Sequence, residues 1–327
     1  MRRLALLFLV LVAGAFVFAG CGGDDDDGGG SEDNVDLTQS KDLTIAVVTH
    51  DDGGGFWAVA KKGAEAAGKD MGVTVKWSGS NNDPEEQAQL IEAAVSEDVD
   101  GLAVSVPDAD AIRDAVKTAV DAGIPVITLN SGAEESADLG AITHVGQTET
   151  IAGEGAGTKL KEAGATKVIC VVHEQGNVGL NQRCDGAAKG FGGDIENVQV
   201  AGTSDISTTL TEIQSKLESD DSIDGVLALN PDIAVAARDA VAGAGSEAKL
   251  ATFDLSGDVI KAIKDDEILF AVDQQQYLQG YLPVVFLTLN KTNLNTVGGG
   301  QFVLTGPGFV EKSNAAEIEK LAEAGTR

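Results

Sequence analysis

The strongest constraint on the fold is a repeated alternation of short apolar runs with segments that have the apolar spacing of helices. The alternation begins near residue 41 and starts again near residue 147. Short connections between such strand–helix units favour parallel strands with helices on both faces of the sheet. The sequence therefore predicts two similar α/β halves, at residues 41–146 and 147–274.

Each half contains several predicted strands, with helices in the intervals between them. In the first half, strands are expected at 43–48, 73–77, 100–106, 126–129 and 143–145. In the second half, strands are expected at 167–172, 198–201, 224–229, 250–253 and 268–272. The tail adds a helix at 277–289 and a short strand near 301–304, too little to fold alone, so it must pack onto the two halves.

The glycines between Gly153 and Gly157 lie inside a helical pattern, so we expect them to permit close helix packing rather than to bind phosphate. The chain has no GxSxG, HExxH or GxxxxGK[ST] motif. Its three histidines, His50, His144 and His173, do not have the spacing of metal ligands. We therefore expect a protein that is not an enzyme and that needs neither a metal nor a cofactor.

The net charge of the chain limits the classes of partner that it can bind. The 327 residues include 52 acidic and 23 basic side chains, which give a formal net charge of -29. Such a charge opposes binding to nucleic acid or to an anionic membrane surface. Only 4% of the residues are aromatic, while 41 are glycine, which suits helices packed closely on a parallel sheet.

The N-terminus is predicted to be a targeting segment. Arg2 and Arg3 precede an apolar run at 4–18 that is too short to span a bilayer comfortably. The sequence FAGC at 18–21 then resembles the lipobox of bacterial lipoproteins, which predicts a signal peptide at 1–20 and lipidation of Cys21. An ordinary signal peptide that happens to contain a cysteine is the alternative.

A flexible acidic and glycine-rich tether is expected at residues 21–40, because this stretch cannot bury apolar surface. The two remaining cysteines, Cys170 and Cys184, are fourteen positions apart in a chain that we expect to be exported. An oxidising compartment permits a disulfide between them. Two buried free thiols remain the alternative.

Short polar side chains follow most of the predicted strands. They are Asn130, Ser131, His173, Asn230, Asp254 and Gln274, with Arg183 one or two turns into the segment after His173. The carboxyl ends of parallel strands form the crevice in which α/β sheets bind ligands. Asn and Asp also cap helices and form turns, so capping alone is the alternative for each of them.

Phe56 and Trp57 follow the glycine-rich loop that ends the first strand. Adjacent helical residues point in different directions, so we do not expect both rings to be buried in the core. Amide, carboxylate and guanidinium groups match the donors and acceptors of hydroxyls, and a flat ring can stack on the C–H face of a sugar. Together these residues predict a site for a neutral ligand that is rich in hydroxyl groups.

Several stretches occur in one characteristic order along nearly the whole mature chain. They are FWAVAKKG at 56–63, SVPDADAI at 105–112, AGIPVITLNSG at 122–132, QRCDG at 182–186, LALNPDIA at 227–234, ATFDLSGD at 251–258, and Gln274 followed by Gly280. In this order the stretches resemble the sugar-binding proteins of bacterial ABC importers, in the ribose- and galactose-binding class.

The resemblance implies two Rossmann-like (flavodoxin-like) parallel-sheet domains joined by three crossovers, which is the type I periplasmic binding protein fold. It implies one lobe at 41–146 plus 275–302 and another at 147–274 plus 303–327, which close on a sugar. By position, Phe56 and Trp57 would stack on the sugar ring. The residues that would hydrogen-bond its hydroxyls are Asn130, Arg183, Asn230, Asp254 and Gln274.

Further candidates at the cleft are Asp52, Ser131, Gln147 and His173, with His50 at its rim. Asp52 is either an added ligand contact or a solvated side chain. Ribose-type members of the family have an Asp-Arg pair where this chain has Asn130-Ser131. This departure disfavours ribose itself and leaves the identity of the sugar open.

The predicted function is an exported, lipid-anchored and monomeric binding protein that captures a monosaccharide or polyol. It would deliver that ligand to an ABC permease at the outer face of the cytoplasmic membrane. A sugar-sensing receptor of the same fold, feeding a chemoreceptor or sensor kinase, is the alternative. A LacI-type repressor shares this core, but the export signal and the absence of a basic DNA-binding headpiece exclude it.

Overall fold

A computed structural model describes residues 42–193 and 195–327 of the chain. The predicted signal peptide, the tether and the predicted lipidation site at Cys21 lie outside the described residues. Within the described part, no helix combines the length and the apolar character that a membrane span requires.

The first sheet is entirely parallel in the described part of the chain. Its strands are β1 (Thr44–Thr49), β2 (Thr74–Gly79), β3 (Gly101–Ser105), β4 (Val126–Asn130), β5 (His144–Gly146) and β11 (Val303–Leu304). They pair in the order β11-β5-β4-β3-β1-β2. Along β1, Ile45 and Val47 contribute to one apolar cluster while Ala46 and Val48 contribute to another. Helices therefore cover both faces of the sheet, as the apolar run predicted.

The second sheet repeats this arrangement. Its strands are β6 (Val168–Val172), β7 (Ile195–Gln199), β8 (Gly225–Ala228), β9 (Lys249–Phe253), β10 (Phe270–Asp273) and β12 (Gly308–Glu311). They pair in the order β12-β10-β9-β8-β6-β7, with β12 antiparallel to β10 and the other pairs parallel. The predicted fold class of two α/β halves, each with its own parallel sheet, is confirmed.

Helices flank each sheet on both sides. They are α1 (Gly54–Met71), α2 (Pro84–Ser96), α3 (Ala109–Asp121), α4 (Glu149–Glu162), α5 (Val178–Phe191), α6 (Ile206–Ser219), α7 (Pro231–Gly243), α8 (Gly257–Lys264), α9 (Gln276–Asn293) and α10 (Ala315–Glu323). Helix α2 begins with Pro84 after Asp83, whose side chain accepts hydrogen bonds from the backbone N–H groups of Glu85 and Glu86.

The chain passes between the sheets three times, at 147–148, at 274–275 and at 305–307. The last crossover lies later than the boundary that we predicted after residue 302. Val303 and Leu304 pair in parallel with β5, so they belong to the first sheet. The sequence pattern also gave no sign of β12 or α10, because the only sheet partner of β12 among the described residues is the distant strand β10.

Each crossover helix packs very closely on the first helix of the lobe that it enters, α4 on α5 and α9 on α1. Glycines make this approach possible. A Cβ on Gly153 would lie 2.1 Å from the carbonyl oxygen of Arg183, and one on Gly157 would lie 2.0 Å from that of Ala187. The predicted role of these glycines in close packing is confirmed.

The same contact is made from the α5 side, where a Cβ on Gly186 or Gly190 would collide with the backbone of α4. One consequence is that Arg183 on α5 lies directly against the start of α4. Cys184, the next residue along α5, is bonded to Cys170 in β6. Therefore α5 is fixed to the helix beside it and to the strand beneath it.

We predict that Gly157→Ala lowers the free energy of unfolding by about 1–3 kcal/mol, because the added methyl group overpacks the contact between α4 and α5. Gly55→Ala is the matched control, since a Cβ at this helical position has no atom within 4 Å. The control should stay within about 1 kcal/mol of the wild type. Chemical denaturation measures both variants, and equal stabilities would show that the contact tolerates a side chain.

Candidate functional site

A cavity lies where the carboxyl ends of the strands of both sheets meet, and its empty space of about 470 Å³ includes a part that is open to solvent. Its wall residues are His50, Asp51, Gly53, Phe56, Trp57, Asn130, Ser131, His173, Glu174, Asn177, Gly179, Leu180, Arg183, Thr203, Leu229, Asn230, Asp254 and Gln274. This position agrees with the general rule for ligand sites in open α/β sheets.

The structure brings most of the predicted site residues to this wall. They are Phe56, Trp57, Asn130, Ser131, His173, Arg183, Asn230, Asp254 and Gln274. Two others lie elsewhere. Asp52 is exposed and off the wall, because the loop after β1 turns its neighbour Asp51 inward to bond the backbone N–H groups of Asp52 and Gly53. Gln147 is fully buried in the first crossover, where it donates to Glu149 rather than lining the cavity.

The guanidinium of Arg183 is held by a buried carboxylate. Its Nε and Nη2 donate to the two oxygens of Glu149 at 2.7 and 2.9 Å, and Nη1 donates to the carbonyl of Leu229 at 3.2 Å. Both side chains are only about 5% exposed. Burial alone would lower the pKa of Arg183, but the charge of Glu149 and its hydrogen bonds raise that pKa above the ordinary value.

Arg183 also packs on an aromatic ring, since its guanidinium carbon lies 4.6 Å from the centroid of Phe253. A guanidinium has five N–H donors. The bonds to Glu149 and Leu229 use the Nε–H and one N–H on each terminal nitrogen. Arg183 therefore retains one further N–H on Nη1 and one on Nη2 as donors for oxygen atoms of a ligand.

Asp254 places a carboxylate beside this guanidinium, with Oδ2 4.0 Å from Nη1 of Arg183. Its other oxygen, Oδ1, accepts a hydrogen bond of 2.7 Å from Gln274. Burial raises the pKa of Asp254 to about 7, although Arg183 and the bond from Gln274 act in the opposite direction. A group with this pKa exchanges its proton near neutral pH.

Asn130 and Asp254 occupy equivalent places in the two halves, at the end of β4 and just after β9. Both have left-handed backbone conformations, with φ of 61° and 67°. A non-glycine residue in this conformation is uncommon, although Asn and Asp adopt it more readily than other residues do. The two halves therefore present their short polar side chains through the same backbone turn.

A chain of amide hydrogen bonds links these wall residues to the crossovers. Gln279 on α9 accepts from Asn130 at 3.3 Å and donates to Gln274 Oε1 at 2.8 Å and to Thr305 Oγ1 at 3.2 Å. Gln274 in turn bonds Asp254. Polar groups of the cavity wall are thus hydrogen-bonded to two of the three segments that connect the lobes.

His173 carries a polar atom without a partner. It is 8% exposed, and its Nδ1 has no hydrogen-bond partner within the described part of the molecule. Burial lowers the pKa of His173 to about 4, so the ring is neutral at physiological pH. An unpaired buried group on a cavity wall is costly unless an occupant of the cavity completes its bonding.

Glu174 connects the lobes at the edge of the cavity. Oε2 lies 3.6 Å from Nε2 of His50 in the first lobe and accepts a hydrogen bond of 2.6 Å from Asn177. Burial would raise the pKa of this carboxylate, but the contact with His50 and the bond from Asn177 lower it well below the usual range. His50 is itself held by Ser105, whose Oγ is 2.8 Å from Nδ1.

Asn230 and Ser131 have local structural roles as well as places on the wall. The Asn230 side-chain oxygen caps α7 by accepting from the N–H of Asp232 at 2.8 Å, so its amide nitrogen remains for other partners. The Ser131 hydroxyl donates to Oδ1 of the Asn130 side chain at 2.9 Å. Capping is thus one role of Asn230 and does not exclude another.

The expectation for the two rings was wrong. Phe56 and Trp57 are each 5% exposed, and both belong to the apolar cluster beneath α1. They meet edge to face at 4.9 Å, and Trp57 also meets the edge of His50 at 5.0 Å. Since both rings also line the cavity, they are core and cavity wall at once. The reason is that the closed lobes exclude solvent from the cavity, so residues on its wall are buried too.

The lobes touch each other around the cavity. Besides the pair of His50 and Glu174, the N–H of Val178 donates to the carbonyl of Pro107 across the cleft at 3.3 Å. Most residues of the wall are shielded from solvent, and separation of the lobes would widen the access to them. In the described ranges, no cluster of three or more metal-ligating side chains is present.

Sequence reasoning missed Glu149, Asp51, Asn177 and Thr203. The rule that strands end at the crevice would have found Asp51, which lies two residues after β1. No local pattern marks Glu149, since its partner Arg183 lies 34 positions away on another helix. Only the packing of α4 on α5 joins them.

We predict that Asp254→Asn changes the pH dependence of stability. An acid whose pKa is raised in the folded state stabilises the protein below its unfolded pKa, and that contribution is lost as the pH rises through the folded pKa of about 7. Asn cannot ionise. The free energy of unfolding of D254N relative to the wild type should therefore rise by at least about 1 kcal/mol between pH 4.5 and pH 8.

Chemical denaturation at the two pH values measures this difference. The exposed Asp138→Asn provides the control, because it removes the same charge from a side chain at the surface. The difference in free energy of unfolding between D138N and the wild type should be the same at both pH values. Parallel pH profiles for D254N and the wild type would contradict the protonation of Asp254 near neutral pH.

Comparison with known proteins assigns the chain to a family. Residues 45–289 match a family model described as a periplasmic binding protein domain. A carbohydrate transporter protein from Acidothermus cellulolyticus 11B, solved in complex with myo-inositol, is 44% identical, with a TM-score of 0.85 over 87% of this chain and 99% of that chain.

Two further relatives agree. An ABC transporter solute-binding protein from Burkholderia graminis C4D1M, solved with D-arabinose, is 26% identical, with a TM-score of 0.76 over 84% of this chain and 97% of that chain. The ribose import binding protein of Bacillus subtilis (strain 168) is 28% identical over 253 residues, which cover 74% of this chain and 79% of that protein. These relatives are solute-binding proteins of transporters and not enzymes. The chain therefore belongs to the periplasmic binding protein family, and within it to the type I sugar-binding proteins of ABC importers.

Proposed function

We propose that the cavity captures a neutral cyclic polyol or monosaccharide, with myo-inositol as the first candidate, and that the closed protein delivers it to an ABC permease. The single observation that carries the proposal is the buried polar cavity in a chain that is 44% identical to a protein solved with myo-inositol. The absence of an Asp-Arg pair at Asn130-Ser131, where ribose-type proteins have one, supports a ligand other than ribose.

The wall groups match the chemistry of such a ligand. Each hydroxyl of a polyol both donates and accepts a hydrogen bond. Arg183 supplies the two donors that remain after its bonds to the protein, and Asp254 Oδ2 supplies an acceptor 4.0 Å from Nη1. His173 Nδ1 adds a further site that has no partner in the described residues. Phe56 and Trp57 supply the apolar surface that the C–H face of a ring requires.

The wall groups offer interaction energies of the order that binding requires. Hydrogen bonds to charged groups contribute about 1.5–3 kcal/mol each, and micromolar affinity requires about -8 kcal/mol. Three or four such bonds supply roughly 4.5–12 kcal/mol, from which the costs of association and of lobe closure are subtracted. Closure also supplies the signal, because a permease can then distinguish the occupied protein from the empty one by its shape.

The proposed cellular place follows from the N-terminal sequence. A lipid on Cys21 and a flexible tether at residues 21–40 would hold the monomeric binding protein at the outer face of the cytoplasmic membrane. From there it can reach a permease without diffusing away.

We predict that myo-inositol raises the melting temperature of the wild type, since a ligand at one hundred times its Kd adds about 2.7 kcal/mol of stability. Arg183→Ala and Asp254→Ala should each weaken binding by about 2–4 kcal/mol, because a buried partner is left unpaired. Isothermal titration calorimetry against inositols, pentoses, hexoses and linear polyols measures the affinities.

Asp52→Ala is the matched control for Asp254→Ala, because Asp52 is a carboxylate that the structure places outside the cavity wall. Its affinity should remain within about twofold of the wild type. A panel in which no sugar or polyol binds would reject the proposed function. Binding that survives in R183A and D254A would place the ligand at another site.

We predict that the protein carries a lipid on Cys21. The full-length chain expressed in a bacterial host should incorporate labelled palmitate and partition into a detergent phase, and Cys21→Ser should abolish both. Cys170→Ser retains Cys21 and should still be labelled, which separates this site from the other cysteines. An unlabelled wild type that is secreted into the medium would indicate an ordinary signal peptide instead.

A further inference from the structure

A buried guanidinium on the wall of a sugar site poses a problem of selectivity. Arg183 is 5% exposed and faces the cavity, where an unpaired positive charge would favour a carboxylate or phosphate on the ligand. The chain has 52 acidic and 23 basic side chains, but this average charge does not decide what one buried group binds. The local partner of Arg183 does.

That partner lies behind the wall. Glu149 is 5% exposed and is absent from the cavity lining, yet it takes the Nε and Nη2 edge of Arg183 in a two-pronged contact of 2.7 and 2.9 Å. A guanidinium binds carboxylates and phosphates through two-pronged contacts of this kind. Glu149 therefore occupies one of the edges through which Arg183 could bind an anionic ligand, and its charge cancels that of Arg183.

The other charges at the cavity reinforce this exclusion. Asp254 Oδ2 lies 4.0 Å from Nη1 of Arg183, and Glu174 and Asp51 also line the wall. Together with Glu149 behind the wall, these carboxylates leave no net positive charge among the described residues around the cavity. What Arg183 offers the ligand is the two N–H groups that Glu149 and Leu229 leave unused, and these suit hydroxyl oxygens.

We propose that Glu149 is a specificity-determining residue that acts through Arg183: by pairing with it, Glu149 makes the cavity accept neutral rings and reject uronates and sugar phosphates. This inference rests on the proposed function, because it concerns the same cavity. It assigns the choice of ligand charge to a residue that does not touch the ligand.

The test compares ligands that differ in charge and little in shape. Glucuronate and glucuronamide form one pair, and inositol phosphate and an inositol methyl ether form the other, with myo-inositol as the reference. The wild type should bind the neutral member of a pair at least about 30-fold more tightly than the charged member, and Glu149→Gln should narrow this ratio by about tenfold.

The control is Glu154→Gln, which removes an equal charge from the same helix at a side chain that lies near Lys189 instead of Arg183. It should leave the ratio unchanged. Glu149→Asp keeps the negative charge, so this variant should reject the charged ligands as the wild type does, even if its affinities for all ligands fall. If the role of Glu149 is purely structural, E149Q should bind neutral and charged ligands more weakly by the same factor. That result would overturn the proposal.

Removing one member of a buried pair can prevent folding, so a second variant is required. The double variant Glu149→Gln, Arg183→Gln removes both charges of the pair, and it should bind neutral rings weakly without gaining affinity for anions. A gain of anion binding in the double variant would overturn the proposal, because the gain could not then come from an unmasked Arg183.

The outcomes also separate this inference from the proposed function. A wild type that binds myo-inositol but treats charged and neutral partners alike would overturn the charge selection and leave the binding function intact. If the wild type rejects the neutral and the charged ligand of a pair equally, selection is by size. That result also overturns the proposed charge selection. A wild type that binds no member of the wider sugar panel would reject the proposed function itself.

Discussion

The buried ion pair between Glu149 and Arg183 is the interaction on which the site depends. It can form only because glycines let α4 and α5 approach until a Cβ on Gly153 would be 2.1 Å from the carbonyl oxygen of Arg183. Breaking such a pair leaves an unpaired charge in a poorly solvated place, which costs several kcal/mol. The helix contact, the ion pair and the cavity wall therefore depend on one another. Glycines that lie outside the cavity determine the position of Arg183, which carries the only guanidinium on the cavity wall among the described residues.

The two halves of the molecule use the same backbone conformation to present different side-chain groups. Asn130 and Asp254 stand at equivalent strand ends in the same left-handed conformation, and one supplies an amide while the other supplies a carboxylate. Gln279 bonds Asn130 and Gln274, and Gln274 bonds Asp254. Because Gln274 lies in a crossover, the residues that face an occupant of the cavity also connect the lobes. Binding and closure in such an arrangement use the same hydrogen bonds.

Sequence reasoning worked where position along the chain decides position in space. Parallel strands place their carboxyl ends together, so strand order alone was enough to assign Asn130, Asp254 and Gln274 to one crevice. It left the role of Asp52 undecided, because the direction of a loop after a strand depends on which neighbour turns inward. It also misjudged Phe56 and Trp57, since burial of a cavity wall requires a second lobe that no local pattern describes.

The alternation of apolar runs determined by itself the two α/β halves, their parallel sheets and the edge where polar groups collect, because these follow from strand periodicity and chain connection. Tertiary structure decided the rest. It assigned Val303–Leu304 to the first sheet, and it joined Glu149 to Arg183 across 34 positions. The tertiary structure also brought His50 and Glu174 together across the cleft. Each of these depends on a partner distant in sequence, and a contact of that kind leaves no periodic trace in either segment alone.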